Sequence, residues 1–241
     1  MSEVVAGAAE QASARAATGR ATRRASGKPA SSVAGATESV HGTPLPVEAM
    51  TSRQLVRRAK LIEAVIDLVR EVGPAAVQVR DVADQSGTAL GTVYRYFGSK
   101  EHLLAAALCD WQERLTRRVL LPRAGGEAED GDVAERVLSF VRKEIRGFAR
   151  NPKFAELMVQ VNVSSDPYAR DALARMGSMN DQVMAKLLAG VAPERAEAIK
   201  IALGSVLMNS LTYWVTGRTT LHEMTNQIES VTRLVLEHAT D

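Results

Sequence analysis

The stretch from Val79 to Lys100, VRDVADQSGTALGTVYRYFGSK, restricts what this chain can become more than any other part of it. It reads as two short helices joined at Gly87, where a tight turn between helices needs a positive φ. Val82 and Ala83 give the first helix an inner face. Leu90, Val93 and Phe97 recur at three- and four-residue steps, so one face of the second helix is predicted to be buried. Ala89, Gly91, Thr92, Tyr94, Arg95 and Tyr96 then fall on the exposed side and its margins. Small residues at the start of that helix allow close approach to base edges in a major groove. Thr92 can donate, accept and touch a thymine methyl group. Tyr94, Tyr96 and Lys100 can reach phosphate oxygens.

The run G-x-x-x-G-T-V-Y-R-Y-F-x-S-K-E-x-L-L from Gly87 to Leu104, with Val79-Arg80-Asp81-Val82-Ala83 before it, resembles the recognition region of TetR-family bacterial transcriptional regulators. The resemblance is strong over about residues 53–105. It implies an N-terminal three-helix DNA-binding domain, an all-helical ligand-binding domain, and a homodimer on a double-stranded operator. Carried over by position, Arg80 opens the first motif helix and reaches DNA. Thr92 and Tyr94 sit where family members touch bases or backbone, and Tyr96 and Lys100 where they hold phosphates. Family members often have Ser or Thr where Ala89 stands, so Thr88 is expected to cap the recognition helix instead. Near Gln78 a strong N-cap is also missing.

The rest of the composition narrows the function. Aromatic residues make up 4% of the chain, which argues against a protein that stacks RNA or single-stranded bases. The net charge is only +2, so DNA affinity has to come from local placement of basic groups. The single cysteine, Cys109, allows no intrachain disulfide and suits a reducing cytoplasm. It is read as a small core residue. No continuous apolar run suggests a membrane span. His41, His102, His222 and His238 show no metal-ligand spacing, and His102 is read as a surface group. No phosphate-binding glycine loop or nucleophile elbow occurs, so neither an enzyme, a metal nor a cofactor is expected.

Taken in order, residues 1–50 are poor in large apolar residues and are expected to be a disordered tail. Its basic stretch, Arg15, Arg20, Arg23, Arg24 and Lys28, suits either an arm along DNA or a solvated tail, the latter being favoured. Residues 51–98 are expected to form the DNA-binding domain and 99–241 the effector and dimerisation domain. The first helix runs from about Thr51 to Val72 with an inner stripe of Leu55, Ala59, Ile62, Ile66 and Val69. Arg53, Arg57, Arg58 and Lys60 lie near its start. Ser99 starts a fourth helix that joins the domains. Caps follow at Asp132 with Glu135, Asn151-Pro152, Asp166-Pro167 and Thr220 with Glu223, with breaks at Gly190, Pro193 and Gly217. About nine helices result, an all-α fold.

Trp111, Phe148, Phe154, Met158, Asn162, Met176, Met179, Met184 and Trp214 are the candidates to line a site for a small apolar effector, with Asn180 and Gln182 able to orient a polar end. Ala202, Val206, Leu211, Met224, Ile228, Val231 and Leu234 on the last two helices are the candidates for a dimer interface. Short matches at Ala89–Phe97, Asn151–Met158 and Trp214–Arg218 resemble actinobacterial repressors of cholesterol catabolism, which implies a steroid or its coenzyme A thioester as effector. The expected function is therefore a ligand-released repressor. The alternative is a DNA-architectural helix-turn-helix protein without effector control.

Overall fold

A computed structural model describes residues 43–120 and 132–237. These form nine α-helices and a short 3-10 turn, with no strand among the described residues. The helices are α1 (Ser52–Val72), α2 (Val79–Ser86), α3 (Leu90–Tyr96), α4 (Lys100–Leu120), α5 (Val133–Arg150), α6 (Pro152–Asn162), α7 (Pro167–Leu187), α8 (Pro193–Val215) and α9 (Leu221–Leu236).

Local chemistry sets most of these ends. Thr51 and Gln54 form a reciprocal capping box on α1, and Thr220 and Glu223 form another on α9. Asp166 Oδ1 accepts from the Ala169 N–H at 2.8 Å and starts α7. Two expected caps are not made. Asp132 occupies the N-cap of α5 without a side-chain bond, while Glu135 lies 3.9 Å from Arg142 and 3.7 Å from Arg233. Asn151 turns its amide back to the Gly147 carbonyl at 3.0 Å, closing α5 rather than opening α6.

The α1 stripe is rotated and shortened relative to expectation. Leu61, Ile62, Ala64, Val65, Ile66 and Val69 are buried, whereas Leu55 and Ala59 in the first two turns are exposed. The packed neighbours of α1 are α2, α4 and α6, which meet its later turns. Residues 43–50 are also not the loose tail expected of them. The Leu45 N–H donates to the Arg95 carbonyl at 2.9 Å, and Pro44 and Met50 are buried against the first helices. The basic stretch Arg15–Lys28 and the loop at 121–131 lie outside the described residues.

One continuous core runs from α1 through α4 into α6 and α7. Polar links reinforce it. Arg114 of α4 pairs with Glu63 of α1, and Lys153 of α6 donates to the Arg70 and Glu71 carbonyls at 3.1 and 2.6 Å, capping the end of α1. At the far end α5 is clamped to α9 by a two-pronged Arg142–Glu229 pair at 2.9 and 2.8 Å. Among the described residues α8 is the helix long and apolar enough, by composition, to cross a membrane. Charged Glu194, Arg195, Glu197 and Lys200 in its first turns, and its packing on α6, α7 and α9, make it a body helix of this fold.

Candidate DNA-reading helix and ligand cavity

The turn between α2 and α3 follows from Gly87. It adopts φ 63°, ψ 33°, and the Thr88 N–H then reaches the Ala83 carbonyl at 2.9 Å to close α2. A residue with a side chain would be strained there. Ala89 is the N-cap of α3 and makes no side-chain cap. Thr88 does not replace it, because it stands one residue too early for its hydroxyl to meet the first helical N–H groups. Gln78 likewise starts α2 without a side-chain cap, as expected.

The buried face of α3 is Val93, Tyr96 and Phe97, each about 1% exposed. This shifts the expected face. Leu90 is 37% exposed, and the Tyr96 hydroxyl is buried with no partner among the described residues. Tyr96 therefore presents nothing to phosphate in this conformation. Ala89, Leu90, Gly91 and Arg95 are exposed, and Thr88, Thr92 and Tyr94 are half-buried on the same outer side. Arg80 is exposed at the start of α2. Lys100 is half-buried and donates to the Ala75 carbonyl at 3.2 Å. An ammonium has three protons, so this bond leaves two for other acceptors. Arg53, Arg57 and Lys60 are exposed on α1, but Arg58 is turned inward with its guanidinium 5.0 Å from the Phe97 ring centre.

The junction behind α3 is tightly interlocked. His102 is buried, not a surface group. Its Nδ1 accepts from the Gly98 N–H at 3.3 Å, its ring stacks on Tyr168 of α7 at 5.4 Å, and Phe97 meets its edge. Burial, then the charge of Arg58, push this imidazole down to about 4. Gly98 is required by contact: a Cβ there would lie 2.7 Å from Tyr168 Cε2. The end of the reading helix is thus packed on α7 through two rings and a glycine.

Farther along α4 a cavity of about 180 Å³ opens between six helices. Gln112 of α4, Phe140, Val141, Glu144 and Phe148 of α5, and Met158 of α6 line it, with Asn180, Asp181 and Met184 of α7, Lys200, Leu203, Gly204 and Leu207 of α8, and Ile228 of α9. Of the expected effector residues, Phe148, Met158 and Met184 are on this wall, as is Asn180. Trp111 and Phe154 are not: they stack on each other at 4.5 Å inside the core. Met176 is also buried in the core, Met179 and Trp214 are half-buried away from the wall, and Asn162 is exposed. Periodicity marks such residues as inward but cannot tell a packed interior from the rim of a void.

What the pattern of apolar residues missed is polar. Glu144 and Gln112 are each 5% exposed. The Gln112 amide and the Thr116 hydroxyl, the latter at 3.4 Å, donate to the Glu144 carboxyl. Burial pushes that carboxyl up to about 7. Gln112 Oε1 is buried with no partner among the described residues. On the same wall Lys200 pairs with Asp181 at 3.2 Å and with Glu197, so its charge is already engaged. Cys109 is a packed thiol, as expected: it lies 3.3 Å from the Ala172 carbonyl, and burial pushes it up to about 11.

Of the residues expected at a dimer interface, Leu211, Met224 and Ile228 are buried inside the single chain, where α8 and α9 pack on the core. Ala202, Val206 and Val231 are half-buried, and Leu234 is 69% exposed. Ile201, 61% exposed, was not anticipated.

A short helix offered to the groove by its small and hydroxyl residues, backed by a helical body that encloses a cavity, defines a helix-turn-helix transcription regulator. Residues 61–107 match the family model described as bacterial regulatory proteins, tetR family, and residues 131–235 match the tetracyclin repressor-like C-terminal domain. The chain belongs to the TetR family. It is 28% identical over 187 residues to the HTH-type transcriptional repressor KstR of Rhodococcus jostii, covering 77% of this chain and 85% of that protein. To the KstR of Mycolicibacterium smegmatis it is 29% identical over 184 residues, covering 76% and 88%. A crystal structure of a TetR transcriptional regulator from Rhodococcus sp. RHA1 superposes with a TM-score of 0.66 at 25% identity, over 79% of this chain and all of that one. These relatives agree with the short actinobacterial matches. TetR regulators bind DNA operators, are not enzymes, and typically form homodimers.

Proposed function

We propose that the protein is a homodimeric repressor that a small, largely apolar effector releases from its operator. The observation that carries this reading is the position of α4. Its first turn holds His102 against Phe97 and Gly98 at the end of the reading helix, and Gln112, about 15 Å further along at 1.5 Å per residue, is part of the cavity wall. A ligand that moves one end of α4 moves the other.

The size of the cavity supplies the coupling. At about 180 Å³ it is smaller than the roughly 300–1,000 Å³ of sites that enclose drug-sized ligands. A steroid or an acyl thioester chain has to separate the helices to enter. The liganded body then favours a different spacing of two recognition helices, and DNA and effector oppose each other by a coupling on the order of 1–3 kcal/mol. The named repressor function of the KstR relatives supports repression over activation. A purely architectural DNA-binding protein has no use for such a cavity.

Base reading falls to Thr92 and its small neighbours Ala89 and Gly91, with Thr88, Arg80, Tyr94 and Lys100 on the backbone. Dimerisation uses the outer faces of α8 and α9. Only 22% of the apolar window of α8 is buried in one chain, and Ile201 and Leu234 remain exposed on these helices. Electrophoretic mobility of the upstream DNA with and without apolar ligands tests the reading. Retarded DNA that a ligand releases supports it. DNA that every ligand leaves bound refutes effector control.

A further inference from the structure

The cavity wall carries two polar groups among its apolar residues: Asn180, Asp181 and Lys200 on α7 and α8, and Gln112 with Glu144 on α4 and α5, where acceptors outnumber donors. Glu144 accepts from Gln112 and Thr116. A carboxylate has about four lone-pair sites, so two donors leave it with spare acceptor capacity. Gln112 Oε1, on a side chain 5% exposed, accepts from nothing among the described residues. The cationic group on this wall, Lys200, is held by Asp181 and Glu197. The α4–α5 side of the cavity therefore presents surplus acceptors and a carboxyl with no cationic partner, next to Phe148, Met158 and Ile228. A buried acceptor without a partner is costly, so a donor brought in by a ligand to Gln112 Oε1 and the spare lone pairs of Glu144 is favoured.

We propose that the end of the effector that enters this cavity carries a hydrogen-bond donor, a hydroxyl or ammonium group, which binds the Glu144 carboxyl and the Gln112 side-chain oxygen. This rests on the cavity being the effector site. Above pH 7, where Glu144 is ionised and only accepts, an effector whose buried end is an ether or ketone brings no donor to either oxygen. One ending in a carboxylate sets a second negative charge or a second acceptor beside Glu144. The raised Glu144 carboxyl, at about 7, fits a site where the charge has no partner until a ligand supplies one.

The test uses the full-length protein and four eight-carbon probes that differ at one end: 1-octanol, 1-octylamine, the methyl ether of 1-octanol, and octanoate. Calorimetric titration at pH 8, where Glu144 is ionised, should give the alcohol or the amine an affinity about 10-fold or more above that of the ether, with octanoate weakest. Comparison of alcohol with amine tells which donor is preferred. In Glu144→Leu the alcohol, the amine and the ether should bind alike, because the apolar walls remain. Gln112→Leu provides the same comparison should Glu144→Leu lose its helical circular dichroism. Ether or octanoate binding as tightly as the alcohol and the amine overturns the proposal, as does a head-group preference that survives in both variants. If no probe binds, the cavity is not the effector site and the inference falls with that assignment, while DNA binding by the reading helix stands or falls on its own titration.

Discussion

Replacing Glu144 by Gln should stabilise the ligand-free protein, and should do so increasingly as pH rises. The folded carboxyl is pushed up to about 7 by burial from an ordinary value of 4.5. An acid whose folded pKa is raised binds more protons folded than unfolded between those two values, so wild-type stability falls as pH rises from about 4.5 to 7. At 1.36 kcal/mol per unit the full penalty is about 3 kcal/mol, of which roughly 2–3 kcal/mol accrues between pH 5 and pH 8. Gln keeps the size and an acceptor for Gln112 but carries no charge. For a chain of this length 1 kcal/mol moves Tm by roughly 2–4 °C, so the Gln variant should gain about 5–10 °C over wild type at pH 8 relative to the difference at pH 5. Thermal circular dichroism of both proteins at both pH values reads this directly. Taking the variant against wild type removes His102, which acts in the opposite sense: pushed down to about 4, it loses stability as pH falls through 6.5 towards 4. A Tm difference that is the same at pH 5 and pH 8, or a Gln variant less stable at pH 8, would show that Glu144 is not a buried acid lacking a counter-charge.

Three further perturbations address the surfaces. Tyr96→Phe removes a buried hydroxyl that has no partner, so it should leave operator affinity within about twofold and stability unchanged or about 1 kcal/mol higher; a large loss of DNA affinity would mean that Tyr96 turns outward on DNA. Lys100→Ala should weaken binding to every sequence. With about three phosphates neutralised per subunit, the slope of log affinity against log salt should be near −5 in the native dimer and shallower by about 2 in the variant, one phosphate lost from each subunit; an unchanged slope would remove Lys100 from the interface. Ile201→Glu with Leu234→Glu places charges on the exposed faces of α8 and α9, and light scattering should show a monomer, whereas an intact dimer would move the interface elsewhere.

The parts of the fold that could be read in advance are those written in local chemistry. The Thr220–Glu223 box, Asp166 before Pro167, Ser99 bonding the His102 N–H at 2.9 Å, and Gly87 at positive φ each act over three or four residues. What stayed hidden depends on partners distant in sequence. A helix of seven residues shows too few turns to fix its inner face, so periodicity alone places Tyr96 and Leu90 on the wrong sides. His102 looks like a surface residue until α7 lays Tyr168 over it. Glu144 and Gln112 lie 32 positions apart, and nothing local says that a carboxyl on an otherwise apolar stripe meets an amide across a cavity. The methionine and aromatic list likewise marked inward residues without separating Phe148 and Met158 on the wall from Phe154 and Trp111 in the core.

A chain that reads DNA with α3 and is released by a ligand inside its helical body must show two properties, operator binding and its loss on adding the ligand. Fluorescence anisotropy of the full-length protein on its own upstream DNA, with and without a steroid coenzyme A thioester, reads both properties in one titration. Tight binding that the thioester relieves is expected. Failure to bind that DNA, together with failure to select any sequence from a random pool, would contradict it.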